Sequence, residues 1–520
     1  MEHSATNAGP GETPRRDPLR ALRRSFGVDA RSLAALRVGL AAILLVDLAL
    51  RARHLKAHYS DFGILPRSEV RYFSLHALSG SPVWTGILFA LAAAFAALLL
   101  AGCRTRTATV VSWVLLISLH LRNPYLCDSG DKLLSLLLFW GMFLPLGARA
   151  SADALRGRRE RVPDVILSPA GAALLFQIAF VYMFSALIKD KTVWLASGDA
   201  LYYALHVDMV TTAAGRSLLD SPALLRFASR ATLLLELLGP LLCFVPVRAA
   251  VLRTVVPLVF MAFHLVLAVV LDIGLFPYVC IVAWLAFLPP AFWDRIRGAS
   301  GERSRPAASR EAIPAGAAAG PKRASRVAGA LAAGVLLYVF FWNVATSLPG
   351  ARLPAPIAWP AEQLRLGQRW AMFSSPPRDD GWWVMPARLR DGSEVDLHGG
   401  ASPVVWDKPA DVAATFASPR IWKWLTFAWG PEHRPLIASY AAWLRRDWNE
   451  RHGAGREVIA QAVHYMLEET GPPGEEPARA KLTIYEWSES GGERVRSHDE
   501  CPGSLPGSPG QASPQGHRPL

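Results

Sequence analysis

The chain has 520 residues, of which 52% are hydrophobic and 19% charged, and its mean hydropathy is +0.23. Soluble domains are about a quarter charged, so this composition argues against a soluble protein and indicates a membrane protein. The net charge of +13 arises before residue 348: residues 1–347 hold 36 basic and 21 acidic side chains, the remainder 19 and 21. An excess of basic residues that is confined to the apolar part reflects topology and contact with anionic lipid, and gives no reason to expect a nucleic-acid partner.

Residues 1–32 form a basic arm, predicted to be cytoplasmic, that precedes a series of apolar runs. Each run is close to the ~20 residues that an α-helix needs to cross a bilayer. The predicted spans lie near 33–50, 83–102, 106–121, 132–147, 168–188, 231–247, 251–271, 273–290 and 327–347. The sequence therefore predicts an all-α polytopic transmembrane bundle of about nine helices, about eight of them within residues 33–290.

Arginine-rich loops alternate with loops poorer in basic residues along this bundle. "CRTRT" (103–107), "RGRRERV" (156–162) and "PVRAAVLR" (246–253) all fall on one side if there are nine spans. The positive-inside rule assigns that side and the N-terminus to the cytoplasm, and everything beyond residue 347 to the outside. We therefore expect a multi-pass protein of the cell inner (plasma) membrane.

The chain beyond the eighth span divides by composition. Residues 291–326 are rich in Ala, Gly, Pro and Ser and are predicted to be a cytoplasmic linker to the last span, 327–347. Residues 348–490 are predicted to form an extracytoplasmic α+β domain that packs on the outer face of the bundle and covers a pocket there. Residues 491–520 are predicted to be a disordered tail.

Local patterns within residues 348–490 support the α+β prediction. Asp391–Gly392 suits a hairpin turn between two extended runs. Residues 456–487 contain two more extended runs around a Pro/Gly loop, of which the first could instead be helix. Residues 436–450 have apolar side chains at helical spacing.

Ionisable side chains at membrane depth are costly to bury, so each is a functional hypothesis by default. Lys189 ends the fifth predicted span, Asp128 and Asp131 begin the fourth, and His120 ends the third, all on the predicted outer face. Lys189 and Lys191 are about 200° apart around a helix and cannot face the same side. One of the two can therefore point into the bundle while the other lies at the lipid surface.

Spacing leaves two interpretations of Lys189 open. Its ammonium could reach the interface and pair with Asp131 as a structural anchor. Alternatively, a lysine held partly out of water could accept a proton near neutral pH.

Three further ionisable side chains lie inside predicted spans. Glu236 and His264 suit either interhelical hydrogen bonds or a functional role. Asp47 suits a structural pair with Arg37 or Arg51. The five cysteines show no CxxC motif and no zinc spacing, so the sequence predicts neither a disulfide nor a metal site.

Several stretches of the chain resemble the HTTM family, the bacterial relatives of vitamin K-dependent gamma-carboxylase. They are "FGVDARSLAALRVGLAAILLVDL" (26–48), "HYSDFGILPRS" (58–68), "SLHLRNPYLCDSGDKLLSLLLFWGMFLPLGARASADAL" (118–155) and "ALIKDKTVWLASGDALYYAL" (186–205). In addition, "LGQRWAMFSSPPRDDGWWVMPARLRDGSEVDL" (366–397) is similar to the periplasmic domain of bacterial members. The resemblance covers about residues 25–290 and, less specifically, residues 360–490.

The resemblance implies a carboxylase-like or quinol-dependent enzyme with an outward-facing pocket. In the carboxylase, a lysine shortly before a tryptophan is thought to deprotonate vitamin K hydroquinone, whose oxygenation yields the base that allows glutamate carboxylation. Lys189 occupies that place when Trp194 is aligned. The resemblance therefore implies that Lys189 points into the bundle within reach of Asp131 or His120, and that Lys191 is exposed. Asp131 stands where the carboxylase has a histidine, and the carboxylase's paired cysteines and propeptide-binding region have no counterpart here.

From the residues and the resemblance together, we predict two groups of site residues. The predicted catalytic residues are Lys189, Asp131, His120 and His264, and the predicted cofactor-contacting residues are Asp128, Glu236 and Trp194. The resemblance implies reduced vitamin K or menaquinol as cofactor, and membrane lipids, a quinone and an extracytoplasmic protein or peptide substrate as partners. Two other functions stay open: a non-catalytic membrane scaffold, and a quinone- or lipid-binding redox partner.

Overall fold

Helices make up most of the chain, and a β-sheet lies near its C-terminal end. The structure, a computed structural model, describes residues 18–156, 162–299 and 323–496, apart from 349, 352, 431–432 and 473. Most of the predicted basic arm, cytoplasmic linker and disordered tail lies outside the described residues.

The described α-helices divide at residue 300. The first group is α1 (Pro18–Phe26), α2 (Ala30–Ala52), α3 (Leu55–Tyr59), α4 (Pro82–Ala101), α5 (Thr105–Arg122), α6 (Ser129–Gly141), α7 (Ala152–Leu155), α8 (Pro169–Ile188), α9 (Ala200–Leu205), α10 (Ala213–Ser217), α11 (Pro222–Leu242), α12 (Ala249–Val270), α13 (Phe276–Trp284) and α14 (Pro290–Ala299). The second is α15 (Arg323–Ser347), α16 (Ala355–Gln363), α17 (Pro419–Trp429) and α18 (Pro435–Arg451).

Five described helices are long and apolar enough to cross a membrane: Ala30–Ala52, Pro82–Ala101, Pro169–Ile188, Ala249–Val270 and Val327–Ser347. Each coincides with a predicted span. A sixth is added if Phe276–Phe287 and Pro290–Gly298, which are bent by 94° at a short break, count as one span. The predicted number of about nine is therefore not confirmed.

The other predicted spans correspond to helices that are short or carry charge. The α6 helix has 13 residues and α13 has nine before the chain bends. Both α5 and α11 include arginines, among them Arg122 and Arg230. Short or partly charged helices are compatible with a membrane when they pack inside a bundle, and α6 is buried over nearly its whole length.

The segments flanking the bundle differ from their predicted boundaries. The predicted arm contains α1 and β1 (Val28–Asp29), and β1 pairs with β2 (Val165–Ile166). The predicted linker begins within α14, and the helix of the last span begins at Arg323. The predicted tail begins with a β-strand rather than disordered chain.

One antiparallel sheet forms the centre of the C-terminal domain, residues 348–496. Its strands are β3 (Asp379–Val384), β4 (Pro386–Leu389), β5 (Glu394–Asp396), β6 (Val458–Glu469), β7 (Ala478–Ser488) and β8 (Gly492–Val495). The strand order is β5-β4-β6-β7-β8. Strands β4 and β3 both pair with the same edge of β6, β4 with its first half and β3 with its second half. The predicted hairpin around Asp391–Gly392, the paired runs within 456–487 and the helix at 436–450 are confirmed.

The C-terminal domain packs against one end of the bundle, as predicted. Tyr125, in the α5–α6 loop, contacts the rings of Trp424 and Phe427 on α17. Arg446 on α18 donates a hydrogen bond to Gly63 O at 3.1 Å. This packing buries the ends of α2, α5, α6 and α8, where the predicted site residues His120, Asp128, Asp131 and Lys189 lie.

Candidate functional site

Lys189, the first residue after α8, lies at the centre of a small buried cluster. Its ammonium donates hydrogen bonds to Ser185 Oγ at 2.9 Å and Glu236 Oε2 at 2.5 Å, and only 3% of its side chain is exposed. Ser185 is one turn earlier on α8, whereas Glu236 comes from α11. Lys189 thus points into the bundle as expected, but its pairing with Asp131 is wrong because Glu236 is its partner.

A change of helix type puts an aromatic ring beside this lysine. The chain leaves the α-helical conformation at Lys189 and continues as a π-helical turn, Thr192–Ser197. The turn carries Trp194, whose ring centroid is 4.6 Å from Lys189 Nζ, within range of a cation–π interaction. Lys191 is exposed, as predicted, and donates a hydrogen bond to Lys189 O at 2.9 Å. Lys191 therefore caps the helix end, whereas Lys189 faces inward.

A segment from the C-terminal domain covers the Lys189 cluster. Trp194 Nε1 donates a hydrogen bond to Phe373 O at 2.9 Å, and the Asp190 N–H donates one to Ser374 O at 2.8 Å. Phe373 has φ of 50°, in the left-handed region that costs a non-glycine residue roughly 1–2 kcal/mol. These two hydrogen bonds hold the Phe373–Ser374 segment beside the end of α8.

Two aspartates and two arginines form a second buried group, the interdomain cluster. Arg51 donates hydrogen bonds to Asp47 Oδ2 at 2.7 Å and to Asp131 Oδ1. Arg420, on α17, donates to Asp47 Oδ1 at 2.7 Å and to Asp131 Oδ2 at 2.8 Å. Every carboxylate oxygen has a guanidinium partner and the four charges cancel, which lowers the cost of burying them. Of the two partners predicted for Asp47, the structure selects Arg51.

Asp128 and His120 border the interdomain cluster. Asp128 Oδ1 accepts the Asp131 N–H at 3.0 Å, and Asp131 Oδ2 accepts the Asp128 N–H at 3.0 Å, so the two residues form a capping box at the start of α6. His120 Nε2 lies 3.8 Å from Asp131 Oδ1. The geometry of Asp128 is that of a helix cap.

His264 belongs to a third group. Its Nε2 lies 2.8 Å from the hydroxyl of Tyr182, which also accepts a hydrogen bond from Trp284 Nε1 at 2.8 Å. Tyr182 lies two turns before Lys189 on α8. The residues predicted as one site are thus divided among the Lys189 cluster, the interdomain cluster and this aromatic group.

An acidic side chain of the sheet also faces the bundle. Asp380, on β3, accepts the Asp208 N–H at 2.6 Å. Burial, together with a smaller contribution from the nearby carboxylate of Asp208, raises the pKa of Asp380 to about 7. Lys408 contacts Asp208 at 2.6 Å and also pairs with Glu468.

A family model described as the HTTM domain matches residues 27–293, which is more than half of the chain. The chain belongs to the HTTM family. No curated protein and no solved structure matches it. The matched region contains the Lys189 cluster and the three bundle residues of the interdomain cluster, whereas Arg420 and Phe373 lie beyond it.

Sequence reasoning missed both contacts that the C-terminal domain makes with the HTTM-domain clusters. Arg420 follows Ser418–Pro419, a helix-start signal in which the Ser418 side chain accepts the Arg420 N–H at 3.2 Å. That signal could have predicted α17. Nothing in the local sequence indicates that Arg420 contacts aspartates of the bundle that lie more than 280 residues earlier in the chain. Phe373 contributes a backbone carbonyl, for which the sequence carries no signal.

The interdomain cluster and the Lys189 cluster of this HTTM protein are chemically different. In the interdomain cluster, both carboxylates are held by two guanidiniums, which suits a structural joint. In the Lys189 cluster, one ammonium meets one carboxylate beside a hydroxyl and an indole ring. Only the second arrangement contains a cation that can give up a proton, because arginine stays protonated in proteins.

Proposed function

We propose that this HTTM protein is a membrane-embedded enzyme of the carboxylase-like or quinol-dependent type, with Lys189 and Glu236 as its acid–base pair. The observation that carries the proposal is the buried contact between Lys189 Nζ and Glu236 Oε2 at 2.5 Å, at the end of a candidate membrane span. Ionisable groups at membrane depth are expensive to keep and are functional hypotheses by default.

The pair supplies a route for a proton. When the ammonium of Lys189 passes a proton to Glu236, the neutral amine can accept another from an acidic hydroxyl of a substrate. A quinol provides such a hydroxyl on a flat ring, and the indole of Trp194 provides a flat surface beside the amine. Substrate enters when the Phe373–Ser374 cover moves away, so Lys189 is shielded from water until then.

We further propose that the C-terminal domain faces the outside and the N-terminus the cytoplasm. Arg253 lies in the second turn of α12 and donates a hydrogen bond to Gly27 O at 2.7 Å. The opposite end of α12 pairs with Thr211 through Leu271, close to the contact between Asp208 and the sheet. A basic bundle end opposite the C-terminal domain supports this orientation under the positive-inside rule.

Quinol-dependent oxygen uptake tests the enzyme proposal. Purified protein in detergent receives reduced menaquinone, and an oxygen electrode measures uptake above the rate without protein. We expect activity in the wild type and in Lys191→Ala, a control that removes the exposed neighbouring ammonium, and loss of activity in both Lys189→Ala and Lys189→Arg. Activity retained in Lys189→Arg would assign Lys189 to charge pairing, and wild-type protein without uptake would refute the quinol-dependent activity.

A non-catalytic scaffold is the second candidate function, and the interdomain cluster favours it. Arg420 fixes the C-terminal domain to the bundle through Asp47 and Asp131, which suits rigid presentation of that domain to a partner. Mass spectrometry of quinones retained by the purified protein separates the two functions. A quinone retained by the wild type and lost in Trp194→Ala supports the enzyme, and its absence from the wild type supports the scaffold.

A further inference from the structure

His120 borders the interdomain cluster, in which every charged group is paired, but its own side chain makes no hydrogen bond to any residue that the structure describes. Its side chain is fully buried at the end of α5, and neither ring nitrogen has a hydrogen-bond partner among the described residues. Buried polar side chains are nearly always paired with protein, water or an ion, so an unpartnered imidazole in this position requires an explanation.

Two further ligand-type atoms lie next to this imidazole. A ring nitrogen of His120, Cys127 Sγ and a carboxylate oxygen of Asp131 all lie within 4.8 Å of one another. Metal bonds to thiolate sulfur and imidazole nitrogen are about 2.3 and 2.0 Å long, so ligand atoms on opposite sides of an ion are about 4.3 Å apart. Cys127 Sγ contacts the carbonyl oxygens of His120 and Asn123, both at 3.9 Å, and loses little by turning to an ion.

The spacing of these three residues in the sequence does not indicate a metal site. His120 ends α5, Cys127 lies in the connecting loop and Asp131 is in the first turn of α6. The ligands therefore come from three different local structures, and their spacing matches no common metal motif. The loop brings them together by reversing the chain between two packed helices.

We propose that His120, Cys127 and Asp131 bind one soft monovalent metal ion with the chemistry of Cu(I). Thiolate and imidazole ligands select soft metals. Asp131 is the weak third ligand, because Arg51 and Arg420 already bond to its two oxygens. The site is separate from the Lys189 cluster, and the inference does not depend on the proposed enzyme function.

The ligand set favours a monovalent ion of low coordination number. Zn(II) is usually held by four ligands, or by three with a water in the fourth position. Of the three residues, only His120 and Cys127 offer ligand atoms without a charged partner, because both oxygens of Asp131 already bond to guanidiniums. When Cys127 loses its thiol proton and binds a monovalent ion, one positive charge replaces another and the charge of the region is unchanged. The arrangement therefore favours Cu(I) over Zn(II).

Copper loading of the purified full chain tests the inference. Protein in detergent is reduced, loaded with Cu(I), passed over a desalting column and analysed for copper by mass spectrometry. Cys127→Ser is the near-isosteric ligand variant and His120→Gln the second, while Cys243→Ser, a buried cysteine elsewhere in the bundle, is the control. We expect one retained copper ion per chain in the wild type and the control, and loss of that ion in both ligand variants.

X-ray absorption of the loaded wild type provides a readout that does not require any variant to fold. We expect one sulfur from Cys127 and one nitrogen from His120 in the first coordination shell of copper, with a longer contact to an oxygen of Asp131. Wild-type protein that retains no copper, copper retained equally by Cys127→Ser, or Zn(II) that displaces Cu(I) at these residues would each overturn the inference.

Discussion

Replacing Arg420 with alanine should release the C-terminal domain from the bundle. The change removes the hydrogen bonds from Arg420 to Asp47, Asp131 and Leu126 O, each 2.7–2.8 Å long. Arg51 then faces two aspartates alone, and one buried negative charge loses its compensation. Removing one partner of a buried ion pair costs about 3–5 kcal/mol. Because 1.4 kcal/mol corresponds to a factor of ten, we expect the population of the separated state in Arg420→Ala to exceed that in the wild type roughly 100-fold or more.

The reactivity of Cys127 measures this separation. Cys127 is 7% exposed and follows Leu126, the residue whose carbonyl Arg420 binds. The assay follows thiol labelling in protein whose other cysteines are serine, with a metal chelator present. When opening and closing are fast compared with labelling, the labelling rate follows the open population.

A matched arginine on the same domain provides the control. Arg446 is exposed and makes one hydrogen bond to the bundle, to Gly63 O. Arg446→Ala should therefore change the labelling rate of Cys127 by a small factor compared with Arg420→Ala. Equal rates in the two variants would refute the reasoning that Arg420 holds the domains together.

Three further outcomes are expected. Glu236→Gln leaves the ammonium of Lys189 without its carboxylate and should lower the free energy of unfolding by about 3–5 kcal/mol. The double variant Lys189→Met with Glu236→Leu should recover much of that stability, because it removes both charges. A melting temperature in detergent that is unchanged in Glu236→Gln would count against the pair. Asp380 binds its proton more tightly in the folded protein than its ordinary pKa of 3.8 allows, so stability should fall as pH rises from about 4 through about 7, by on the order of 4 kcal/mol. The melting temperature of Asp380→Asn should not show this loss across that pH range. Equal slopes of melting temperature against pH in the wild type and in Asp380→Asn would exclude Asp380 as its source. Alkaline phosphatase fused after residue 360 should be active if that part of the chain is outside, and an inactive fusion would reverse the proposed orientation.

Membrane helices were the most predictable part of the fold. An apolar run of span length has few alternatives to a helix in lipid, which explains why all five candidate spans coincide with predicted ones. The number of spans was less predictable, since α6 and α13 are apolar but short. Hydropathy reports how apolar a segment is, and it does not distinguish a helix that meets lipid from one that is covered by other helices.

The candidate site was predictable residue by residue, but its pairings were not. Helical periodicity predicts that Lys189 and Lys191 face different sides, and the resemblance around Trp194 selects Lys189 as the inward one; the structure agrees with both. The choice between Asp131 and Glu236 as the partner of Lys189 depends on which helices are neighbours. In the structure α8 contacts α11, and Glu236 on α11 reaches the end of α8.

Charge balance explains why Asp131 was not available to Lys189. Asp47 and Asp131 together need two positive charges, and Arg51 supplies one from within the bundle. The second comes from Arg420, which is nearly 300 residues away from Asp131 in the chain and becomes a neighbour only when the C-terminal domain docks. Docking therefore completes the interdomain cluster and leaves Lys189 to Glu236, with the Phe373–Ser374 segment of the same domain lying over that pair. The domain that neutralises the interdomain cluster is thus also the one that lies over the lysine, so loosening Arg420 should expose Lys189 as well.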